Sequence, residues 1–331
     1  MTLQELEENF GTQEQCLAYL HKLRWANGPS CVDWHTYEIE GRNEWKRKQE
    51  KEMAATEYTV TKNYGFYCPI CRQTYSVLRD TVFQDTQLKL LPLWFRAVWY
   101  ITSQDSGTSA LELQRFLGLG SYRTAWTWLQ KLRKIMYLPK LQGTVMVDTF
   151  SIMVNGEYGL EEKYPVLIAL EVDPNRKAIK QIRMSNIDYN DCNEVSSFIE
   201  KCVTPSDNVL RSNGRIDFSK LDTASYPQEI ERKGGRNFQP TREVISYLEK
   251  KKLLGVLPSM YSKEHLSHYL DECCFKFNKR SSKDKGFYDI LENAVSGANA
   301  TFIRRKKQEI MEQAKPRIVS FDERQEKGFQ M

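Results

Sequence analysis

One carboxylate stands inside a hydrophobic run. Asp148 lies in LQGTVMVDTFSIMV, residues 141 to 154, among Val145, Val147, Phe150, Ile152 and Val154, all of which favour burial. An ionised carboxylate in an apolar strand is costly unless a cation or hydrogen-bond donors meet it. Two outcomes are open: the strand ends at Asp148 in a solvated turn, or a partner waits for the charge. A second set of residues could bind a soft metal. Tetrahedral structural zinc takes its ligands in closely spaced pairs. YCPIC supplies Cys68 and Cys71, and PSCVDWH supplies Cys31 and His35. This irregular pair of pairs predicts a structural Zn²⁺, against the alternative of a cysteine-bearing β-hairpin without metal. Cys16, Cys192, Cys202, Cys273 and Cys274 lie in apolar or helical contexts and are expected to pack rather than to form disulfides.

The chain that must position these residues has 331 of them, enough for two or three domains, with 40% hydrophobic and 12% aromatic content to build their cores. No apolar run is long enough to cross a membrane as a helix, and MTLQELEENF is acidic and amphipathic, unlike a signal peptide. A soluble, intracellular protein without a membrane partner is expected. A net charge of +5 is too mild to identify nucleic acid as a partner by itself. The distribution of charge has to decide.

Apolar spacing predicts one or two short helices over residues 3 to 24, and strand alternation in GFYCPICRQTYSV. LPLWFRAVWYI reads as a helix with an aromatic face. SGTSALELQRFLGLGSYRTAWTWLQKLRKIM reads as two helices around a turn at Gly118 to Gly120, with Ser106 or Ser121 as caps. A Gly-containing turn before a helix bearing Arg123, Lys131, Arg133 and Lys134 is a helix-turn-helix pattern that could meet DNA, although any three-helix bundle contains such a turn. From residue 141 the pattern changes to strands in TVMVDTFSIMV, YPVLIALEVD and AIKQIRMSN. A helix in CNEVSSFIEKCV, a short strand in NVLRSNG and helices from Thr241 to Leu254 and Lys263 to Phe277 follow. That order predicts an α/β or α+β domain. FIRRKKQE then opens a basic C-terminal tail.

Taken in order, LRWANGPSC, YGFYCPICRQTYSV, the WF helix, the helix pair and the VMVD strand resemble the zinc-ribbon DDE transposases of ISXO-type insertion sequences and their eukaryotic Merlin-type relatives. The likeness continues through SNGRIDFSKL, TREVISYLEKKKLLG and KEHLSHYLDECCFKFNKR, the last similar to that family's HL-x-x-YL-x-E-x-x-F-x-x-N-x-R signature. The resemblance implies a multidomain α+β chain. Residues 1–80 would form a helical lead and zinc ribbon, 81–140 a helix-turn-helix DNA-binding domain, 141–300 a ribonuclease-H-like catalytic domain and 301–331 a basic tail.

In that family carboxylates from separate strands and a helix hold Mg²⁺ or Mn²⁺, hard cations that take oxygen ligands and position a phosphodiester for in-line displacement. Asp148 falls at the place of the first carboxylate and Glu243 at that of the helix-borne one. Lys250, seven residues later, lies on the same helix face and would meet a DNA phosphate beside Lys251. The second acid is replaced: Asn213 precedes Gly214, and an amide offers a carbonyl oxygen without charge. Asp217 is a candidate substitute. Thr149 and Ser246 also depart from the family's pattern. Of the late signature, His265, Tyr269, Asp271 and Glu272 are expected to serve helix packing, while Asn278 and Arg280 could reach DNA.

The implied function is a DNA transposase that binds terminal inverted repeats of double-stranded transposon DNA, cuts, and joins the ends to target DNA. It would work as a homodimer on DNA, in the nucleus of a eukaryote or the nucleoid and cytoplasm of a bacterium. Asn213 points to an inactive form. The alternatives are a catalytically silent transposase-derived DNA-binding protein and, more remotely, a zinc-ribbon transcription regulator.

Overall fold

The computed structural model describes residues 1–25, 59–68, 73–155, 161–173, 175, 178–188, 190–212, 214, 216–230, 239–251 and 263–296. The first helices begin where the sequence supplies reciprocal caps. Thr2 and Glu5 close a capping box on α1 (Leu3–Phe10), and Thr12 and Gln15 do the same for α2 (Gln13–Arg24). A small antiparallel sheet follows, in the order β1 (Thr59–Val60), β2 (Phe66–Cys68), β3 (Gln73–Tyr75). The next helix, α3 (Leu91–Ser103), carries Pro92 in its first turn, where a missing N–H is harmless. Ser109 opens α4 (Ala110–Leu117) through a capping box with Glu112, and Gly118 closes it at φ 65°, a backbone setting that favours glycine. After this turn comes α5 (Tyr122–Arg133), whose N-cap residue Ser121 makes no side-chain capping bond. Ser109, rather than Ser106 or Ser121, is therefore the capping serine of the pair.

The second half of the chain is a mixed sheet with helices. Its elements in chain order are β4 (Leu141–Asn155), β5 (Glu161–Val172), β6 (Ile179–Ser185), α6 (Cys192–Cys202), β7 (Val203–Ser212), β8 (Gln228–Ile230), α7 (Gln239–Lys250), α8 (Lys263–Asn278) and α9 (Lys283–Ser296). The strands lie in the order β6-β5-β4-β7-β8. β4, β5 and β6 form an antiparallel meander, whereas β7 and β8 run parallel to β4. Gly143, at φ 70°, accommodates the register shift where β4 joins β7.

Alternation along β4 sends side chains to two different layers. Met146 and Ile152 face a core built with Val244 and Leu248 of α7 and Leu266, Leu270 and Phe277 of α8. Val145 and Val147 face the opposite core, with Val195, Phe198 and Ile199 of α6. A third core belongs to the helical half and unites Leu6, Phe10, Leu17, Phe95, Leu113 and Trp128. Phe287, Ile290 and Leu291 of α9 enter it too. The helical core thus cuts across the divisions at residues 80 and 140: the first two segments share one core, and the chain returns from the sheet to complete it.

A buried ionic cluster joins α5 to α8. Glu272 of α8, whose side chain is 3% exposed, accepts from Arg133 Nε at 2.7 Å and from Lys276 Nζ at 3.1 Å. The Thr108 N–H also donates to it at 3.1 Å, while Arg133 Nη2 donates to the Thr108 carbonyl at 2.9 Å. The Arg133 guanidinium lies 3.7 Å from the centre of the Tyr269 ring. Burial alone would raise the Glu272 pKa, but the two cations outweigh it and lower the value from 4.5 to about 2. A lowered folded-state value means stability that is present above the ordinary carboxyl pKa and lost as pH falls from about 4.5 towards about 2. Glu272→Ala leaves two buried cations unmatched and is expected to cost roughly 3–5 kcal/mol. Urea unfolding at pH 7 and pH 3 tests this: the loss should be large at pH 7 and smaller at pH 3.

Candidate nucleic-acid and catalytic site

Asp148 does not end its strand. β4 continues to Asn155, so the expectation of a solvated turn at this carboxylate is overturned. What ends at this level is the neighbouring pairing. The parallel ladder with β7 closes at Val147↔Ser212, and β6 pairs with β5 only from Leu167, the partner of Thr149. Asp148 therefore lies at the carboxyl edge of the parallel pair, where open α/β sheets place their ligands. It is half-buried, and one carboxylate oxygen accepts from the Thr149 N–H at 2.8 Å.

By strand alternation Asp148 shares its sheet face with Met146 and Ile152. That is the face covered by α7, which inserts Val244 and Leu248. Glu243 precedes Val244 and is exposed, as is Lys250 two turns later on the same helix. Strand carboxylate and helix carboxylate thus belong to the same side of the sheet. Asn213 lies outside the described residues; its chain neighbour Ser212 is the last β7 residue paired to β4, one step before Asp148.

Asp217 is exposed and occupied locally. Its carboxylate accepts from the Ser219 N–H at 2.8 Å, and hydrogen bonds from Ser219 hold its pKa below the ordinary value. It closes a turn of its own. Among the described residues no three His, Cys, Asp or Glu side chains form a group able to hold a metal ion. Asp148 and Glu243 supply two negative charges, too few to balance two divalent cations. This donor set does not fit a two-ion centre. Cys31, His35 and Cys71 lie outside the described residues, and of Cys68 only the backbone, in β2, is described.

The basic residues divide sharply. Arg123 and Lys134 are exposed at the two ends of α5, and Lys131 is half-buried between them. Arg133 is fully enclosed and committed to Glu272, which corrects its assignment as a phosphate contact. The helical pattern explains the error: Arg133 lies one residue beyond the buried Leu132 and four beyond the buried Leu129, on the inner face of α5. Lys251 donates to Asp105 at 2.9 Å, a partner remote in the sequence.

Asn278 and Arg280 are also used within the fold. Asn278 accepts from the Ile182 N–H at 2.8 Å and donates to the Ile182 carbonyl at 3.1 Å, and Arg280 donates to the Ile179 carbonyl at 2.6 Å. Together they cover the outer edge of β6, which no further strand pairs among the described residues. The free cysteines Cys16, Cys202, Cys273 and Cys274 are buried, in keeping with a packing role, and Cys192 is half-buried at the start of α6.

No protein-family model and no curated protein sequence matches the chain. Among the described residues no helix is long and apolar enough to cross a membrane. The placement of Asn278 generates a direct test. Asn278→Ala removes two hydrogen bonds of ordinary strength, so a loss of about 1–3 kcal/mol is expected. Hydrogen exchange at the Ile182 amide should accelerate along with it, and an unchanged rate would contradict the edge-covering role.

Proposed function

We propose that this chain is a transposase-type DNA-binding protein in which phosphodiester cutting is silenced by Asn213. The observation that carries the proposal is the position of Asp148: a half-buried acid on the central strand, at the carboxyl edge of a parallel pair, under the helix that presents Glu243. A strand order with an antiparallel meander continued by two parallel strands supports a ribonuclease-H-like core for this half. α4, the Gly118 turn and α5, with Arg123 and Lys134 exposed, support a helix-turn-helix contact with duplex DNA. Two copies would meet on DNA to hold two ends.

The acid set supports binding without cutting. Two carboxylates and an amide carry less charge than the chemistry of paired divalent ions requires. Asn213→Asp restores the missing charge. Duplexes enriched from a random library by binding to the wild-type chain provide the substrate, and Mg²⁺ or Mn²⁺ provides the cation. Wild type should bind without nicking, whereas Asn213→Asp should nick; a double variant that also carries Glu243→Gln should bind and not nick. Nicking by the wild type would overturn silence. Binding with no nicking by any form would favour the purely DNA-binding alternative.

Zinc belongs to the same proposal, with Cys31, His35, Cys68 and Cys71 as its ligands. Purified protein should carry about one zinc per chain by elemental analysis, and Cys71→Ser should lose it together with its binding to DNA.

A further inference from the structure

A shallow surface cleft lies where α3 ends, α8 ends and α9 begins. Its ionisable lining is one-sided. Lys276, Lys279, Arg280 and Lys283 line it, Tyr247 of α7 closes one wall, and Asp105 is the one carboxylate among the lining residues. Most of these cations are committed to deeper structure. Lys276 is bound to Glu272 and to the Thr108 hydroxyl, Lys279 to Asp289, and Arg280 to the carbonyls of Phe277 and Ile179.

The rim is different. Lys251 and Lys283, with side chains 39% and 40% exposed, both point their ammonium groups at the same Asp105 carboxylate, at 2.9 and 2.5 Å, and Lys283 also donates to the Ser103 carbonyl at 3.0 Å. The Asp105 side chain is itself 51% exposed. Ion pairs this exposed contribute little net stability, so a competing anion can replace the carboxylate at small cost. Two ammonium groups converging on a pair of oxygens present the geometry that a phosphate's oxygens also satisfy. The first turn of α9 contributes Lys283 and Gly286 to the cleft wall, and the positive end of that helix favours an anion there. The cleft also lies at the far end of the helix that presents Glu243: eight residues of α-helix, roughly 12 Å along the axis, separate it from Lys251.

We propose that this cleft is a phosphate site for a nucleic-acid backbone, and that Asp105 fills its rim from within, withholding Lys251 and Lys283 until a phosphate displaces it. The proposal rests on the DNA-binding function argued above. A duplex bound in this way would run from α5 and Glu243 towards the end of α7, and the internal carboxylate would lower its affinity, because a phosphate reaching the rim must first displace Asp105.

The test uses the full chain and fluorescence anisotropy on a labelled duplex over a range of salt, with wild type, Asp105→Asn, and Asp105→Asn combined with Lys251→Ala and Lys283→Ala. Asp105→Asn is close in size and exposed, so its urea midpoint serves as a folding control. Releasing two lysines should tighten binding roughly 3–10-fold, and the salt slope should steepen by about 1–2 as two more counterions are displaced. The triple variant should lose both gains. If wild type binds and Asp105→Asn binds no tighter, Asp105 is only a clamp between helices and the proposal falls while DNA binding stands. If the triple variant keeps the gain, the two lysines are not the phosphate contacts, and the proposal falls again. If no form binds duplex, the proposed function itself fails and takes the cleft with it.

Discussion

Glu272 is enclosed by protein and ionised, and a buried carboxylate persists in that state only while its cations stay within reach. That requirement fixes three pieces of chain at once: the end of α5 through Arg133, the loop through Thr108 and the turn of α8 that carries Lys276. Desolvation offsets much of the attraction in such a cluster, so its consequence is geometric more than energetic. The helix that offers Arg123 and Lys134 to solvent cannot rotate or slide relative to α8 without stripping partners from Glu272. Since α8 also covers the face of the sheet that carries Asp148, the outward basic residues and the inward acid are held in one frame.

α9 reinforces the frame from the opposite direction. It follows the sheet in the chain, yet buries Phe287 against Phe10, with ring centres 5.8 Å apart, and accepts from the Val82 N–H through the Ala294 carbonyl. The helical half therefore cannot complete its core until the sheet half has been made. Contacts of such long sequence separation are slow to form, because loop closure must precede the gain from burial. An N-terminal fragment ending before the sheet would expose the apolar surface that α9 covers.

Much of this was legible in the sequence, and the failures have physical reasons. Thr2, Thr12 and Gly118 are short-range signals, and the helices they bound lie where the local pattern puts them. Alternation gave β4, β5 and β6 because each strand is coated by apolar layers. α9 went unread even though Phe287, Ile290, Leu291 and Ala294 carry helical spacing. Arg133 was misplaced because a basic residue in a run of basic residues looks solvated; its spacing from Leu129 marks the inner face of α5, but the partner that holds it there lies 139 positions away. The same blindness hid Asp105, whose lysines belong to α9 and to the end of α7. Asp148 stood out by its apolar strand and Glu243 by resemblance, while the shared face that relates them follows from the pleat of β4 and the packing of Val244.

On the proposed function, losing an acid does not weaken the hold on DNA. A phosphodiester lying against Asp148 and Glu243 carries the same sign of charge as they do, and a third carboxylate at position 213 would repel it further unless cations intervened. At about 4 Å and an effective dielectric near 20, one such repulsion amounts to roughly 4 kcal/mol before screening. An amide at position 213 would remove that repulsion, whereas Arg123, Lys134 and Lys250 are exposed. Binding and cutting thus draw on separable groups. On that proposal, the amide that would leave the centre short of metal charge would also make the same surface a better resting place for an uncut backbone.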